Sequence, residues 1–144
     1  MIKIRKATPK DFSRMTEIMI AAFSFPPYND HWTKKSALET IKKDYKEGII
    51  YLATEDNKIQ GFISVISEPY HKPIIMIENL VVAIEAQNKG IGKILVKEIE
   101  EHYKKKNYYM ISLITNKKAS AFKFYKKLGY KESKSNVTLT KRLN

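Results

Sequence analysis

A chain of 144 residues has room for one ordinary domain with a real core but not for two independent ones. Hydrophobic residues make up 43% of it and aromatic residues 11%. That excludes a disordered tail, and no apolar run approaches the roughly 20 residues that a membrane helix needs. The 27 basic residues against 15 acidic ones leave a net charge of +12, a surface that attracts polyanions.

Ile2 and Ile4 alternate with Lys3 and Arg5 as a first strand, and Thr8-Pro9-Lys10-Asp11 then offers a helix cap with proline at the first helical position. The helix runs to about Phe23, with Phe12, Met15, Met19, Ala22 and Phe23 recurring at three-and-four spacing as a buried stripe. Two prolines stop any regular helix over residues 24–32, where Phe25, Tyr28, His31 and Trp32 crowd one loop. Thr33 caps a second helix carrying Ala37, Leu38, Ile41 and Tyr45, ended near Gly48. Residues 49–54 and 59–66 form a hairpin around Glu55-Asp56-Asn57-Lys58. After Pro69 and Pro73 comes a fourth strand over residues 74–82. A third helix from Ile91 to Tyr103 holds Ile91, Ile94, Leu95, Ile99 and His102 on one side. Residues 108–114 read as a fifth strand and 118–128 as a short helix closed by Gly129; residues 130–133 and 137–141 read as two last strands. The order is that of an α/β layered domain with a mixed sheet.

Cysteine is absent, which excludes disulfides, thiolate metal sites and a cysteine nucleophile together. His31, His71 and His102 lie far apart, in no ligand spacing, so no metal is expected. Apart from Arg5, Arg14 and Arg142 the basic residues are lysines, spread over several elements as at Lys42, Lys43, Lys46, Lys104, Lys105, Lys106, Lys126 and Lys127. That pattern suits a solvated surface better than a nucleic-acid groove. The N-terminus enters alternating apolar and basic residues with no signal core, and the expectation is a cytoplasmic protein without a membrane partner.

The run Gln87-Asn88-Lys89-Gly90-Ile91-Gly92 between the fourth strand and the third helix is the most informative feature. Two glycines at a strand-to-helix turn let the backbone approach an anion, toward which the first free N–H groups of the helix point. A diphosphate is the natural guest, although a glycine pair there equally serves tight turning and close packing.

In this order and separation, the glycine turn and the later run Ala121-Phe122-Lys123-Phe124-Tyr125-Lys126-Lys127-Leu128-Gly129-Tyr130 resemble the two motifs of the GNAT superfamily of N-acetyltransferases. The resemblance covers essentially the whole chain. It implies one domain over residues 1–144: a mixed, mostly antiparallel sheet of about seven strands flanked by about four helices, splayed at strands 4 and 5. It implies acetyl-coenzyme A as acyl donor, with its pyrophosphate on the backbone of Gln87, Asn88, Lys89, Gly90, Ile91, Gly92 and Lys93 and its pantetheine arm along Leu80, Val81 and Val82. Asn88 stands where relatives have glycine, and asparagine is the side chain most tolerant of left-handed backbone. Asn116 is carried over as a coenzyme contact, at five residues before Ala121 rather than three.

Acetyl transfer to an amine needs a neutral amine, and deprotonating an alkylamine of pKa near 10 at neutral pH costs roughly 4 kcal/mol. Glu78 matches the position of the family's base and Tyr125 that of the tyrosine which protonates the leaving thiolate. Each has a plain alternative, Glu78 as a surface carboxylate and Tyr125 as a core ring. A backbone N–H near Val81 would polarise the thioester carbonyl. Acceptors in the family lie against the first two helices and their loop, which points to Phe25, Tyr28, His31 and Trp32. Few carboxylates stand nearby, only Asp30 with Glu39 and Asp44 in the next helix, so a small amine with an apolar or aromatic part fits better than a polycation. The reading is direct transfer through a ternary complex to a small-molecule amine. Its rivals are a protein lysine or N-terminal acetyltransferase, a non-catalytic acyl-coenzyme A binding module and a nucleic-acid-binding protein. A homodimer is suggested only by the habit of relatives.

Overall fold

The structure, a computed structural model, describes residues 1–67 and 72–144; Pro69 and His71 lie outside the described residues. It divides into two compact units, Met1–Ile114 and Thr115–Asn144. In the first, the chain runs β1 (Lys3–Lys6), a 3-10 turn (Pro9–Asp11), α1 (Phe12–Phe23), α2 (Lys34–Glu47), β2 (Ile49–Glu55), β3 (Lys58–Ser67) and β4 (Ile74–Val82). A second 3-10 turn (Ile84–Ala86), α3 (Ile91–Lys105) and β5 (Met110–Ser112) complete it. The second unit holds α4 (Ser120–Lys127).

Both early helices start as their sequences dictate. Asp11 reaches back to accept the Thr8 N–H at 2.8 Å, and Arg5 donates to both its oxygens, each at 2.8 Å. The Arg5 guanidinium, more than the Thr8 bond, holds the Asp11 carboxyl down at about 2. At α2, Thr33 Oγ1 accepts the Ser36 N–H at 3.0 Å while Ser36 Oγ accepts the Thr33 N–H at 2.9 Å, a reciprocal cap.

The sheet has the order β1-β2-β3-β4-β5. Its first three pairings are antiparallel and the last is parallel. Tyr51 Oη lies 3.1 Å from Nδ1 of His102 on α3, whereas Ser64, the cross-strand partner of Ile50, donates to Asp44 on α2. Adjacent strand residues point to opposite faces, so α2 and α3 cover opposite faces of the sheet. Between them Leu52, Phe62, Ile63 and Val65 are buried with Met15 and Met19 of α1 and Leu95 and Ile99 of α3.

Several sequence expectations need correction: the fifth strand spans Met110–Ser112 rather than residues 108–114, Ala22 and Phe23 of the α1 stripe are half-buried, and Ile94 of α3 is 39% exposed. On α2 the buried stripe is Ala37, Ile41 and Asp44; Tyr45 is 41% exposed and packs edge-on against the Phe12 ring at 5.2 Å. Among the described residues the sheet has five strands rather than about seven, because residues 130–133 and 137–141 form no ladder. Alternation gives a segment two faces, but a strand exists only where a neighbouring backbone pairs with it. Val137 and Leu139 are 81% and 88% exposed, and the nearby Ser133 Oγ is taken up locally by the N–H groups of Ser135 and Asn136.

Candidate active site

β4 is held on both sides for only part of its length. β5 pairs with Ile74, Ile75 and Met76 and then ends, while β3 stays paired with β4 as far as Val82. From Ile77 onward, no strand among the described residues pairs with the edge of β4 that faced β5. Open main-chain donors and acceptors of this kind can take an extended ligand as an added strand. Leu80, Val81 and Val82 lie on this stretch, with Val81 buried and the other two half-buried.

Within the same stretch the β3–β4 ladder slips. Ser64 pairs with Asn79 and Val65 with Ile77, so Glu78 has no partner of its own. This is a β-bulge, which bends a strand and re-aims a side chain. Glu78 is exposed. Across from it, α2 brings two further charges. The Lys43 ammonium is raised above its ordinary value, first by its bond to Glu47 and to a lesser degree by the fields of Asp44 and Glu78. Asp44 is buried and accepts hydrogen bonds from Ser64 Oγ at 2.7 Å and from Asn79 Nδ2 at 2.9 Å.

Beyond β4 the chain makes the expected turn. Asn88 has φ +63 and Gly90 φ +84, both left-handed. Gly90 is the N-cap of α3 and, lacking a side chain, leaves the first N–H groups of the helix without a side-chain acceptor. A methyl group at Gly90 would meet nothing within 4 Å, so glycine is needed there for conformation rather than for space. Gln87 ties the turn to the strand, donating Nε2–H to the Val82 carbonyl at 3.1 Å and its own N–H to Ile84 at 3.3 Å. Asn88, Lys89 and Lys93 are exposed, Gly92 is half-buried and Ile91 anchors the helix in the core. The residues from Gln87 to Lys93 thus form a basic, donor-rich end to the open β4 edge.

The loop between α1 and α2 is folded on itself. Asp30 N–H reaches the Phe23 carbonyl at 2.8 Å, the Phe23 and Tyr28 rings meet edge-on at 5.0 Å, and Trp32 Nε1 donates to Asp30 at 3.2 Å. Partial burial and the Asp30 charge push the Tyr28 phenol up. Phe25 is 58% exposed, His31 is exposed, and Tyr28 and Trp32 are half-buried, so none of the four rings belongs to the core. In the second unit, Tyr125 is buried on α4 with the Tyr130 ring at 5.3 Å. Asn116 accepts the Lys118 N–H on its side-chain oxygen at 2.8 Å, a local turn that opens toward α4.

Sequence reasoning placed Glu78 and the glycine turn on their elements, but it left Ser64 and Asn79 unremarked and offered Asp44 only as an acceptor carboxylate. The signal for Asp44 was present. It falls on the stripe of Ala37 and Ile41, where a carboxylate has to find donors inside the protein.

Residues 12–130 match the acetyltransferase (GNAT) family. An 81-residue stretch is 36% identical to the uncharacterized protein YxbD of Bacillus subtilis (strain 168), covering 56% of this chain and 48% of that protein. The chain therefore spans about half the length of this curated relative. The fold is shared with the PaiA N-acetyltransferase of Thermoplasma acidophilum, solved in complex with coenzyme A, at a TM-score of 0.78 and 23% identity over 94% of this chain and 93% of that one. It is also shared with the ribosomal-protein-S18-alanine N-acetyltransferase of Escherichia coli, at a TM-score of 0.75 and 20% identity over 92% and 79% of the two chains.

Proposed function

The chain belongs to the GNAT family of acetyltransferases, whose acyl donor is acetyl-coenzyme A, and from that premise we propose that it transfers the acetyl group directly to a primary amine of a small molecule. The observation that carries this reading is the open edge of β4. It leads from the unpaired Glu78 past Leu80, Val81 and Val82 to the left-handed turn and the uncapped start of α3. The residues fit the donor at both ends: main-chain groups for an extended amide-bearing arm, and N–H groups with Lys89 and Lys93 for a diphosphate. The family match runs across both units, which supports reading the chain as one domain. The protein is cytoplasmic in this reading; no helix among the described residues is long and apolar enough to cross a membrane.

When bound, acetyl-coenzyme A supplies an acyl carbon activated by its thioester. Glu78 accepts the proton of the attacking amine, directly or through water, and passes it to solvent. The amine nitrogen bonds to the acyl carbon as the C–S bond breaks. The N–H near Val81 donates to the carbonyl oxygen as negative charge builds there; the leaving thiolate takes a proton, a role that the family resemblance gives to Tyr125, whose phenolate then regains one from solvent. Phe25, Tyr28, His31 and Trp32 receive the apolar part of the acceptor. Following thiol release over a panel of amines tests the reading, and it fails if no amine raises the rate above that in water. Glu78→Gln should cost between about 10²- and 10⁴-fold in rate, the usual worth of a positioned base.

A second reading, an amine on a protein chain, draws on the exposure of Phe25 and His31, which leaves the loop open to a wide acceptor. The E. coli structural neighbour named for a ribosomal protein acceptor is a precedent for it on this fold. Peptides with free N-termini or lysines in the same panel separate the two.

A further inference from the structure

One carboxylate is built into the bulge from outside the strands. Asp44 is 3% exposed and sits on α2, and its Oδ2 accepts from both Ser64 Oγ and Asn79 Nδ2. Those two residues are cross-strand partners, and the next pair, Val65 with Ile77, is the one that skips Glu78. Ile77 and Asn79 would share a face in a regular strand. Here they face opposite sides, since Ile77 pairs with Val65 and Asn79 with Ser64.

The alternative register is easy to name. Without the bulge, Val65 would pair with Glu78, whose side chain would then turn to the face of Val65, a residue with no exposure at all. A carboxylate does not go there willingly, yet relaxing the ladder toward it needs only a one-residue slip. The clasp opposes that slip. In a buried setting each of the two hydrogen bonds depends on the other for satisfaction. Both donors of the last regular pair meet on a single oxygen of a residue held by a helix, so the pair cannot shift unless α2 gives up its only buried carboxylate's partners.

We propose that Asp44 is a positioning residue: by clasping Ser64 and Asn79 it fixes the bulge at Glu78 and so sets where that carboxylate stands relative to the open edge of β4. The reaction assigned to Glu78 rests on the acetyl-transfer reading, whereas the clasp itself does not.

The test uses the full-length protein and its Asp44→Asn variant, with two readouts. Amide hydrogen exchange at Val65, Glu78 and Asn79 should quicken by tenfold or more in Asp44→Asn, while exchange along the β1–β2 pairing stays as it was. Thiol release should drop about tenfold in kcat with KM for acetyl-coenzyme A unchanged, because the glycine turn is untouched. The exchanged pair Asp44→Asn with Asn79→Asp keeps a carboxylate–amide hydrogen bond between α2 and β4, with the donor now on α2, and should bring slow exchange back. Ser64→Ala removes one arm and should give a smaller increase, which serves should Asp44→Asn fold poorly. Unchanged exchange at Glu78 in Asp44→Asn, or an equal rise throughout the sheet, overturns the proposal. So does a loss of kcat from Asp44→Asn that is as large in a Glu78→Gln background as in the native one, since a residue acting through Glu78 has nothing left to act on there. If the native protein releases no thiol with any amine, the transfer reading fails, and the exchange readout alone still decides the clasp.

Discussion

Replacing Gly90 by alanine isolates the conformational demand of the turn proposed to hold the diphosphate. At φ +84 with nothing within 4 Å of the added methyl group, the whole penalty is the left-handed backbone, about 1–2 kcal/mol for a residue with a Cβ. For a domain of this size each kcal/mol lowers Tm by roughly 2–4 °C, so Gly90→Ala should melt about 2–8 °C below the native protein. Gly90→Asn should lose less, since Asn88 in the same turn already holds φ +63 with a side chain. The functional consequence is read by adding acetyl-coenzyme A at a hundredfold its native dissociation constant, which should stabilise the native protein by about 2.7 kcal/mol. A tenfold weaker complex, at the same concentration, retains only about 1.4 kcal/mol of that gain. Melting curves with and without the ligand therefore separate a turn that is strained but still binds from one that has relaxed out of shape. If Gly90→Ala melts with the native protein and gains as much from the ligand, the left-handed cap is not what organises the site.

Asp11→Asn removes the charge and one of the two oxygens that together accept two Arg5 bonds and two Thr8 bonds. The native carboxyl sits at about 2 against 3.8 unperturbed, so the protonated form is disfavoured in the folded state. The resulting stability is complete above about pH 4 and fades as pH falls toward 2; with Arg5 46% exposed its size is about 1–2 kcal/mol. Denaturant titrations of the native protein and Asp11→Asn should differ by that amount at pH 6 and converge by pH 2. An undiminished difference at pH 2 contradicts the assignment. Gly48→Ala drives a methyl group into the Val65 carbonyl oxygen at an ordinary backbone angle, so it should cost about 1–3 kcal/mol by overpacking, measurable as a drop in Tm. Tyr125→Phe keeps the ring that packs on Tyr130 and removes the proposed proton donor. Coenzyme binding should hold within about twofold while kcat falls about tenfold or more, and equal activity would return Tyr125 to a purely packing role.

Much of the site was legible because its parts are local. The turn from Gln87 to Gly92 could be read as strand, left-handed cap and helix because a positive φ selects glycine or asparagine at the position itself, and Asn88 and Gly90 both adopt it. The caps at Thr8 and Thr33 span three residues each and needed no knowledge of the fold. The limits of β4 emerged correctly because Pro73 and the turn bracket an apolar run.

Composition, local capping and the two motifs therefore determined the family, the donor and the order of elements as far as α4. Only the tertiary structure decided which strands exist and where Glu78 stands. The alternation at residues 137–141 is a property of one segment, whereas a ladder requires a second backbone, and the segment joins no ladder among the described residues. The bulge at Glu78 is invisible in Ile77-Glu78-Asn79, because it is defined by the register of β3 against β4 and clasped by a carboxylate 20 residues before Ser64 and 35 before Asn79. Register is a relation between strands, and no reading of one strand contains it.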